Sequence, residues 1–245
     1  HNIEGEENSE IKKGSKQFGR NLSEEGAEST LEVALKHPIK LIANALGVPP
    51  KIMLELGKKH NVAVAALVGA KEHAIKQVEA GVDILIVAGG EAGGHCGDVS
   101  TMVLVPEVYN SIKEIKDVPI LAAGGITTGG QMAAAMSMGA DGAWCGSVWL
   151  TTSEAETNPV VKEKMLAASS RDTVRSKSRT GKFSRQLRSP WTGAWEKEGP
   201  EPLPMPLQSL VSEPALKKID KLSQGGHEGA KPVSYTHLRA HETVS

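Results

Sequence analysis

One histidine of this chain lies inside a glycine-rich turn, where an imidazole could do acid–base chemistry. His95 belongs to Glu91-Ala-Gly-Gly-His95, which follows the apolar run Ile84–Ala88 after two further glycines. An imidazole ordinarily titrates at about pH 6.5 and can therefore accept or hold a proton at neutral pH. Gly93 and Gly94 carry no side chains and would let a ligand approach closely. The pattern predicts a catalytic role for His95 and cofactor contacts at Gly93 and Gly94, against the alternative of an ordinary surface-loop histidine.

Two further glycine turns could seat a phosphate. Gly124-Gly125 closes an apolar run that starts at Pro119, and Gly146-Ser147 closes a run that starts at Gly142. Backbone without Cβ atoms can turn sharply and bring N–H groups close to an anion, and Ser147 adds a hydroxyl donor. The alternative is a pair of ordinary strand-ending turns. Because turns one strand–helix unit apart hold phosphate in many barrels, the sequence favours a phosphate site at Gly124, Gly125, Gly146 and Ser147.

Other reactive side chains give weaker signals. Cys96 adjoins His95, but neighbouring residues of an extended segment point apart, which disfavours a Cys/His nucleophile. Cys145, inside an apolar run, is interpreted as a packing residue, and Glu91 stays open between an acid and a loop anchor. The segment 171–188 is basic. It is interpreted either as a solvated face or as a positive wall over an anionic ligand; RNA binding is disfavoured because Phe183 is its only aromatic residue.

Composition excludes several classes of function. The chain has 245 residues, of which 39% are hydrophobic and 3% aromatic, and its net charge is −1. This charge gives no overall attraction to nucleic acid or anionic lipid. No apolar run approaches the roughly 20 residues that a membrane helix needs. Two cysteines without a His/Cys cluster predict neither a disulfide scaffold nor a metal site, and they fit a cytoplasmic protein.

Alternating apolar runs and amphipathic segments predict an α/β fold. Strands are expected near residues 42, 65, 86, 121 and 144, each separated from the next by a helical pattern. Continuously apolar strands are typical of a parallel sheet that is covered on both faces. Both a (β/α)8 barrel and an open doubly wound sheet fit this order. A barrel needs eight strands, about 250 residues in all, so the pattern predicts an incomplete barrel of about five strand–helix units.

The boundaries follow from changes in composition. We expect a polar segment at 1–22, a partial barrel at 23–150 and an inserted cap at 151–208. A helix that returns to the barrel is expected at 209–232. The tail 233–245 has no clear period and is interpreted as a non-native processing scar, so that the chain is expected to be a fragment.

Taken together, these motifs resemble the nitronate monooxygenase family, formerly called 2-nitropropane dioxygenases. The resemblance covers residues 38–222, and its most specific pieces are Glu91-Ala-Gly-Gly-His95, the runs ending in the two glycine turns, and Thr180-Gly-Lys-Phe-Ser-Arg185. It implies a (β/α)8 barrel with an inserted cap, non-covalent FMN, and oxidation of alkyl nitronates by dioxygen to carbonyl compounds and nitrite. His95 would be the base or the hydrogen-bond partner of the nitro group.

The resemblance also assigns the cofactor seat, and it leaves two alternative functions. Gly124, Gly125, Gly146 and Ser147 would hold the FMN phosphate, while Ala88 stands where family members often carry glutamine. The first alternative is an FMN-dependent enoyl-thioester reductase that uses NAD(P)H. The second is an inactive flavin- or phosphate-binding fragment. A small-molecule substrate and dioxygen are the expected partners; oligomeric state stays open.

Overall fold

The computed structural model describes residues 24–224, which alternate helices and strands. The helices are α1 (Glu24–Ala34), α2 (Lys51–His60), α3 (Lys71–Ala80), α4 (Thr101–Ile112), α5 (Gly129–Ser137), α6 (Pro159–Ala167), α7 (Pro190–Glu198) and α8 (Leu207–Gln224). The strands are β1 (Leu41–Asn44), β2 (Ala63–Val68), β3 (Ile84–Ala88), β4 (Gly94–His95), β5 (Ile120–Ala123), β6 (Gly142–Trp144), β7 (Thr173–Ser176) and β8 (Ser184–Leu187). Short 3-10 helices span Ser147–Thr151 and Ser170–Asp172. The predicted segments 1–22 and 233–245 lie outside the described residues.

The main sheet has the strand order β1-β2-β3-β5-β6. Strands β1 to β3 pair in parallel, and β3 pairs in parallel with β5. One face buries Ala65, Ile86 and Ala123 together. On the other face, Val64 packs against Met53 of α2 and Leu31 of α1. The α/β class with a parallel sheet is therefore confirmed.

The connection from a helix to the next strand has the same structure at two places, a glycine with positive φ followed by an aspartate. Gly81 ends α3 at a φ of +95°, and Gly139 follows α5 at a φ of +105°. Two residues later an aspartate accepts a backbone N–H of the preceding strand: Asp83 from Val64 at 2.9 Å, and Asp141 from Ile120 at 2.8 Å. Each carboxylate thereby fixes where the next strand begins.

The described chain divides into two compact units. The first comprises residues 24–88, 101–123 and 130–143, and it holds the main sheet up to the middle of β6. The second comprises residues 89–100, 124–129 and 144–224. It therefore contains the loops that follow β3 and β5, the segment after β6, and everything further along the chain.

A small antiparallel sheet with the order β4-β8-β7 organises the second unit. In its register, Gly94 lies opposite Arg185, His95 lies opposite Ser184, and Ser184 lies opposite Ser176 on β7. Beyond β4, the Cys96 N–H donates to the carbonyl oxygen of Phe183 at 3.2 Å. The glycine-rich turn that contains His95 (residues 90–98, the histidine turn) thus provides one edge strand of a three-stranded sheet.

Two predicted elements need correction. The sequence pattern predicts a helix from Pro106 to Lys116, but α4 begins at Thr101 and contains this proline, since burial of Leu104 and Val105 outweighs one missing hydrogen bond. The apolar run from Gly142 predicts a strand that reaches Ser147, but β6 ends at Trp144, because the chain then turns into a 3-10 helix. No strand was predicted in the basic segment 171–188, but it contains β7 and β8, whose buried side chains include the polar Ser176, Ser184 and Gln186.

Within residues 24–224, no helix combines the length and the apolar character that crossing a bilayer requires.

Candidate functional site

The imidazole of His95 is held by a hydroxyl from a distant part of the chain. Its Nε2 lies 2.8 Å from Oγ1 of Thr180, 85 residues further along. The histidine is half-buried, whereas Gly94 before it is buried. Pairing of β4 with β8 fixes the backbone of His95, and this contact fixes the ring, so the predicted catalytic side chain has a defined orientation.

Thr180 lies in a tight turn between β7 and β8. The N–H of Gly181 donates to the carbonyl oxygen of Lys177 at 2.9 Å, and Gly181 adopts a φ of +83°. A Cβ atom on Gly181 would meet the carbonyl oxygen of Leu203 at 2.1 Å. Only glycine fits here, because both the dihedral angle and the neighbouring backbone exclude a side chain. The turn that carries Thr180 is therefore packed firmly against residues 203–205.

Two arginines, Arg175 on β7 and Arg185 on β8, hold the histidine turn in place. Arg185 donates from Nε to the carbonyl oxygen of Gly90 at 2.8 Å, and from Nη1 to Thr173 at 2.9 Å. Arg175 forms an ion pair with Asp98. The hydrogen bond that Arg175 donates to Asp98 is the main cause that raises the pKa of the guanidinium above its ordinary value. These contacts hold both ends of the turn that contains His95.

The thiol of Cys96 belongs to different surroundings from the imidazole beside it. Cys96 interacts with the guanidinium of Arg175, while the ring of His95 contacts Thr180. This arrangement agrees with the expectation that neighbouring side chains of an extended segment point apart. It gives no support to a Cys/His nucleophile. Cys145 is half-buried and follows the end of β6 instead of lying within a strand.

The Gly124-Gly125 turn directly follows β5. Gly124 has a φ of +112° and Gly125 a φ of +68°, values that residues with a side chain rarely adopt. A Cβ atom on Gly125 would lie 3.2 Å from Cβ of Glu91, so the turn packs closely against the start of the histidine turn. Both loops belong to the second compact unit. Of the two interpretations of Glu91, this packing favours the loop anchor.

The Gly146-Ser147 turn lies in the same unit and is open. Gly146 immediately precedes the 3-10 helix Ser147–Thr151, and a Cβ atom on it would have no neighbour within 4 Å. Its φ of −119° is one that any residue can adopt. Neither the backbone conformation nor internal packing therefore requires glycine at this position. A group that approaches the backbone from outside would require it.

The residues at these turns fit the phosphate end of a flavin. An anion needs backbone or hydroxyl donors on a surface free of side chains. Gly146 supplies the open backbone surface and Ser147 a hydroxyl, next to the first turn of a short helix. The chemistry of this donor set suits a single phosphate group.

The basic stretch forms a groove of its own within the second unit. The groove has a volume of about 300 Å³ and is lined in part by Lys177, Phe183 and Trp195. Lys177 Nζ lies 5.0 Å and Arg175 Cζ 4.7 Å from the centre of the Phe183 ring. Lys177 also lies 3.7 Å from a carboxylate oxygen of Glu201. The cations of this groove thus contact acids and an aromatic ring, so the positive wall of the sequence interpretation is largely compensated.

The chain matches the family model "Nitronate monooxygenase" over residues 4–242. The parallel α/β sheet is of the TIM-barrel type, which solved structures of similar enzymes share. The chain belongs to the nitronate monooxygenase family, whose members are flavoenzymes. The resemblance inferred from the histidine and glycine turns is therefore confirmed.

Individual relatives agree with this membership. The chain is 52% identical over 219 residues to the Mycobacterium tuberculosis protein Rv1533, whose name classes it provisionally as a monooxygenase; the match covers 89% of the chain and 58% of Rv1533. It is 32% identical over 186 residues to a Rhodococcus jostii protein named as an octahydroindene-carboxyl-CoA dehydrogenase, covering 75% of the chain and 51% of that protein. The chain thus spans between half and three fifths of the length of these relatives.

A solved structure with the same architecture is the nitroalkane oxidase of Streptomyces ansochromogenes. The TM-score is 0.73 and the sequence identity 26%, over 86% of this chain and 61% of that one.

Two contacts of the site were not predicted from the sequence. The hydroxyl of Thr180 and the guanidinium of Arg185 both reach the histidine turn. Both residues belong to the segment Thr180–Arg185 that carried part of the family resemblance, and this was the available signal. Their function was hidden because about 90 residues separate them from the turn that they contact.

Proposed function

We propose that the protein containing this chain oxidises alkyl nitronates with dioxygen to carbonyl compounds and nitrite, using non-covalent FMN. The observation that carries the proposal is the ring of His95, 2.8 Å from Thr180, within a glycine turn that Arg185 fastens. Family membership and the nitroalkane oxidase likeness support it.

The proposed reaction balances without a further reductant. Two nitronate anions and one dioxygen give two carbonyl compounds and two nitrite anions, so that each oxygen atom of dioxygen enters one carbonyl group. When bound, the flavin supplies the redox chemistry by relaying electrons from the nitronate to dioxygen. The protein has to hold the anionic substrate, aim it and manage its protons.

His95 is proposed to perform the last two tasks. A neutral nitroalkane would lose its carbon-bound proton to the imidazole, which acts as a general base. A nitronate has already lost that proton, and it would instead accept a hydrogen bond from the ring to a nitro oxygen. Gly93 and Gly94 leave the space beside the ring free of side chains, which permits close contact with substrate and cofactor.

The cofactor seat is proposed at the turns after β5 and β6. Gly124 and Gly125 would contact the flavin phosphate from one turn, and Gly146 and Ser147 from the other. All four residues belong to the same compact unit as His95. A seat for one phosphate suits FMN, which carries one, better than a dinucleotide.

The deciding experiment uses the full 245-residue chain with excess FMN and ethyl nitronate. Release of nitrite and uptake of dioxygen are measured together. His95→Asn should retain the flavin and lower turnover by about 100-fold or more, the scale of a lost acid–base group. His73→Asn, on the exposed face of α3, is the matched control and should behave as wild type. Undiminished nitrite release by His95→Asn would contradict the assigned role.

A second candidate function is favoured by one relative. The Rhodococcus jostii protein is named for redox chemistry on a carboxyl-CoA, which is a thioester. A flavin-dependent thioester oxidoreductase that uses NAD(P)H is therefore the alternative. Under anaerobic conditions, NADH would bleach the flavin of such an enzyme rapidly, whereas the proposed function requires bleaching by the nitronate. Absence of protein-bound flavin, after incubation with excess FMN and removal of free FMN by gel filtration, would instead indicate an inactive fragment.

A further inference from the structure

We propose that Thr180 is a positioning residue that selects the tautomer of His95. The Nε2–H of the imidazole donates to Oγ1 of Thr180, and the proton-accepting nitrogen of the ring is then Nδ1. The catalytic meaning of this assignment rests on the proposed function, while the tautomer itself does not.

The hydrogen bonds of the threonine hydroxyl decide the direction of the contact. A hydroxyl has one proton to donate and two lone pairs that accept. Oγ1 of Thr180 donates to the carbonyl oxygen of Lys182 at 3.3 Å and accepts from the N–H of Lys182 at 3.4 Å. In this pattern the proton and one lone pair are used, and the second lone pair faces Nε2 of His95 at 2.8 Å. In a neutral imidazole, a nitrogen that donates leaves the other nitrogen as the acceptor.

The turn around Thr180 is rigid enough to act as a template. Besides Gly181, wedged against the backbone of residues 203–205, the carbonyl oxygen of Arg179 accepts from Ser212 Oγ at 2.6 Å. Ser212 lies on α8 and is buried. The backbone on both sides of Thr180 is thus held, which fixes the position from which its hydroxyl meets the ring.

The ring itself has little other freedom. Register with Ser184 fixes the backbone of His95, which leaves the two side-chain torsions as the variables. The outer torsion of histidine is broad and roughly two-fold, so packing alone distinguishes the two ring orientations poorly. A hydrogen bond to one ring nitrogen removes this ambiguity.

The test is a nitrogen NMR measurement on the full chain labelled with ¹⁵N-histidine. At a pH where the ring is neutral, wild type should give a protonated Nε2 signal and an unprotonated Nδ1 signal for His95. Thr180→Val, which keeps the shape and removes the hydroxyl, should shift both signals towards a mixture of tautomers. Thr180→Ser should restore the wild-type pattern. Thr152→Val, which removes a hydroxyl that donates to the carbonyl oxygen of Trp149, should leave it unchanged.

Two results would overturn the proposal. One is a wild-type ring protonated at Nδ1, which needs no variant and is decisive even if Thr180→Val does not fold. The other is a folded Thr180→Val chain, verified by circular dichroism, with an unaltered His95 signature.

Turnover separates this proposal from the proposed function. If both hold, Thr180→Val lowers kcat of nitrite release by about 10- to 100-fold, the scale for groups that orient metal-bound histidines, with KM nearly unchanged and rescue by serine. If His95 has the expected tautomer but neither wild type nor any variant releases nitrite, the proposed function is wrong and the tautomer assignment stands. If Thr180→Val releases nitrite as fast as wild type, the catalytic role of the positioning is wrong and the proposed function stands.

Discussion

Arg185 joins β7 and β8 to the start of the histidine turn, donating to the carbonyl oxygen of Gly90 at 2.8 Å from one side of its guanidinium and to Thr173 at 2.9 Å from the other. The side chain is half-buried, and its planar fork matches two acceptors at once. A lysine at this position could not serve both acceptors with the same geometry.

We therefore expect Arg185→Lys to loosen the histidine turn. A lost hydrogen bond to a charged group costs about 1.5–3 kcal/mol of stability, and the amide protons of residues 90–97 should exchange faster with solvent. Hydrogen–deuterium exchange with mass spectrometry measures this effect. Arg188→Lys is the matched control, because the Arg188 side chain is exposed and forms an ion pair of 3.6 Å with Glu196, away from the histidine turn. Equal protection in both variants would contradict the fastening role.

The open backbone at Gly146 allows a test of the cofactor seat that does not disturb folding. Because a Cβ atom there has no neighbour within 4 Å and the φ is ordinary, Gly146→Val should keep the wild-type Tm. FMN affinity, measured by fluorescence titration, should nevertheless fall at least tenfold if the phosphate approaches this backbone. Gly193→Ala, inside α7 and equally free of neighbours, should bind FMN as wild type does. Unchanged affinity in Gly146→Val would place the phosphate elsewhere.

The two helix-ending glycines predict unequal costs for the same substitution. Both have φ near +100°, so alanine should cost each about 1–2 kcal/mol in backbone strain. At Gly139, however, the added Cβ would lie 2.6 Å from Cγ of Tyr109, whereas at Gly81 it meets nothing within 4 Å. Gly139→Ala should therefore destabilise by about 1–3 kcal/mol more than Gly81→Ala, the usual cost of overpacking. Urea unfolding of both variants gives the comparison; equal losses would refute it.

Acid should abolish the stability contributed by Asp172. Its carboxylate accepts from the N–H and the hydroxyl of Ser169, each at 2.7 Å, and these bonds lower its pKa. A carboxyl group whose pKa is lowered by folding stabilises the folded protein at pH values above its ordinary pKa of about 3.9. This stabilisation is lost as the pH falls through the pKa of the folded state. The free energy of unfolding of wild type should therefore exceed that of Asp172→Ala at pH 6. This difference in free energy should shrink below about pH 4. Paired denaturant titrations at both pH values check it.

Sequence patterns predicted the first unit better than the second. Continuous apolar runs marked β2, β3 and β5 because buried parallel strands need nothing else. Strands β7 and β8 escaped prediction because Ser176, Ser184 and Gln186 are buried without being apolar, so the alternation that betrays a strand was missing. A cytoplasmic location stays a prediction, and whether the protein forms a homo-oligomer stays open.

For the candidate site as well, sequence patterns predicted some residues and missed others. His95 and the glycine turns could be recognised locally, since each pattern lies within a few residues. The partners of the histidine turn could not, because Thr180 and Arg185 reach it only through the pairing of β4 with β8. No local spacing encodes a contact across 85 residues.

Pairing of β4 with β8 also dictates when the site can exist. A two-residue strand has no stability of its own, and its only sheet partner in the described chain emerges from the ribosome about 90 residues later. Contacts so distant in sequence form late, after their loop-closure entropy has been overcome. Strands β1, β2, β3 and β5 can therefore pair while the imidazole of His95 is still unoriented, and the ring gains its fixed position only after β8 has been synthesised.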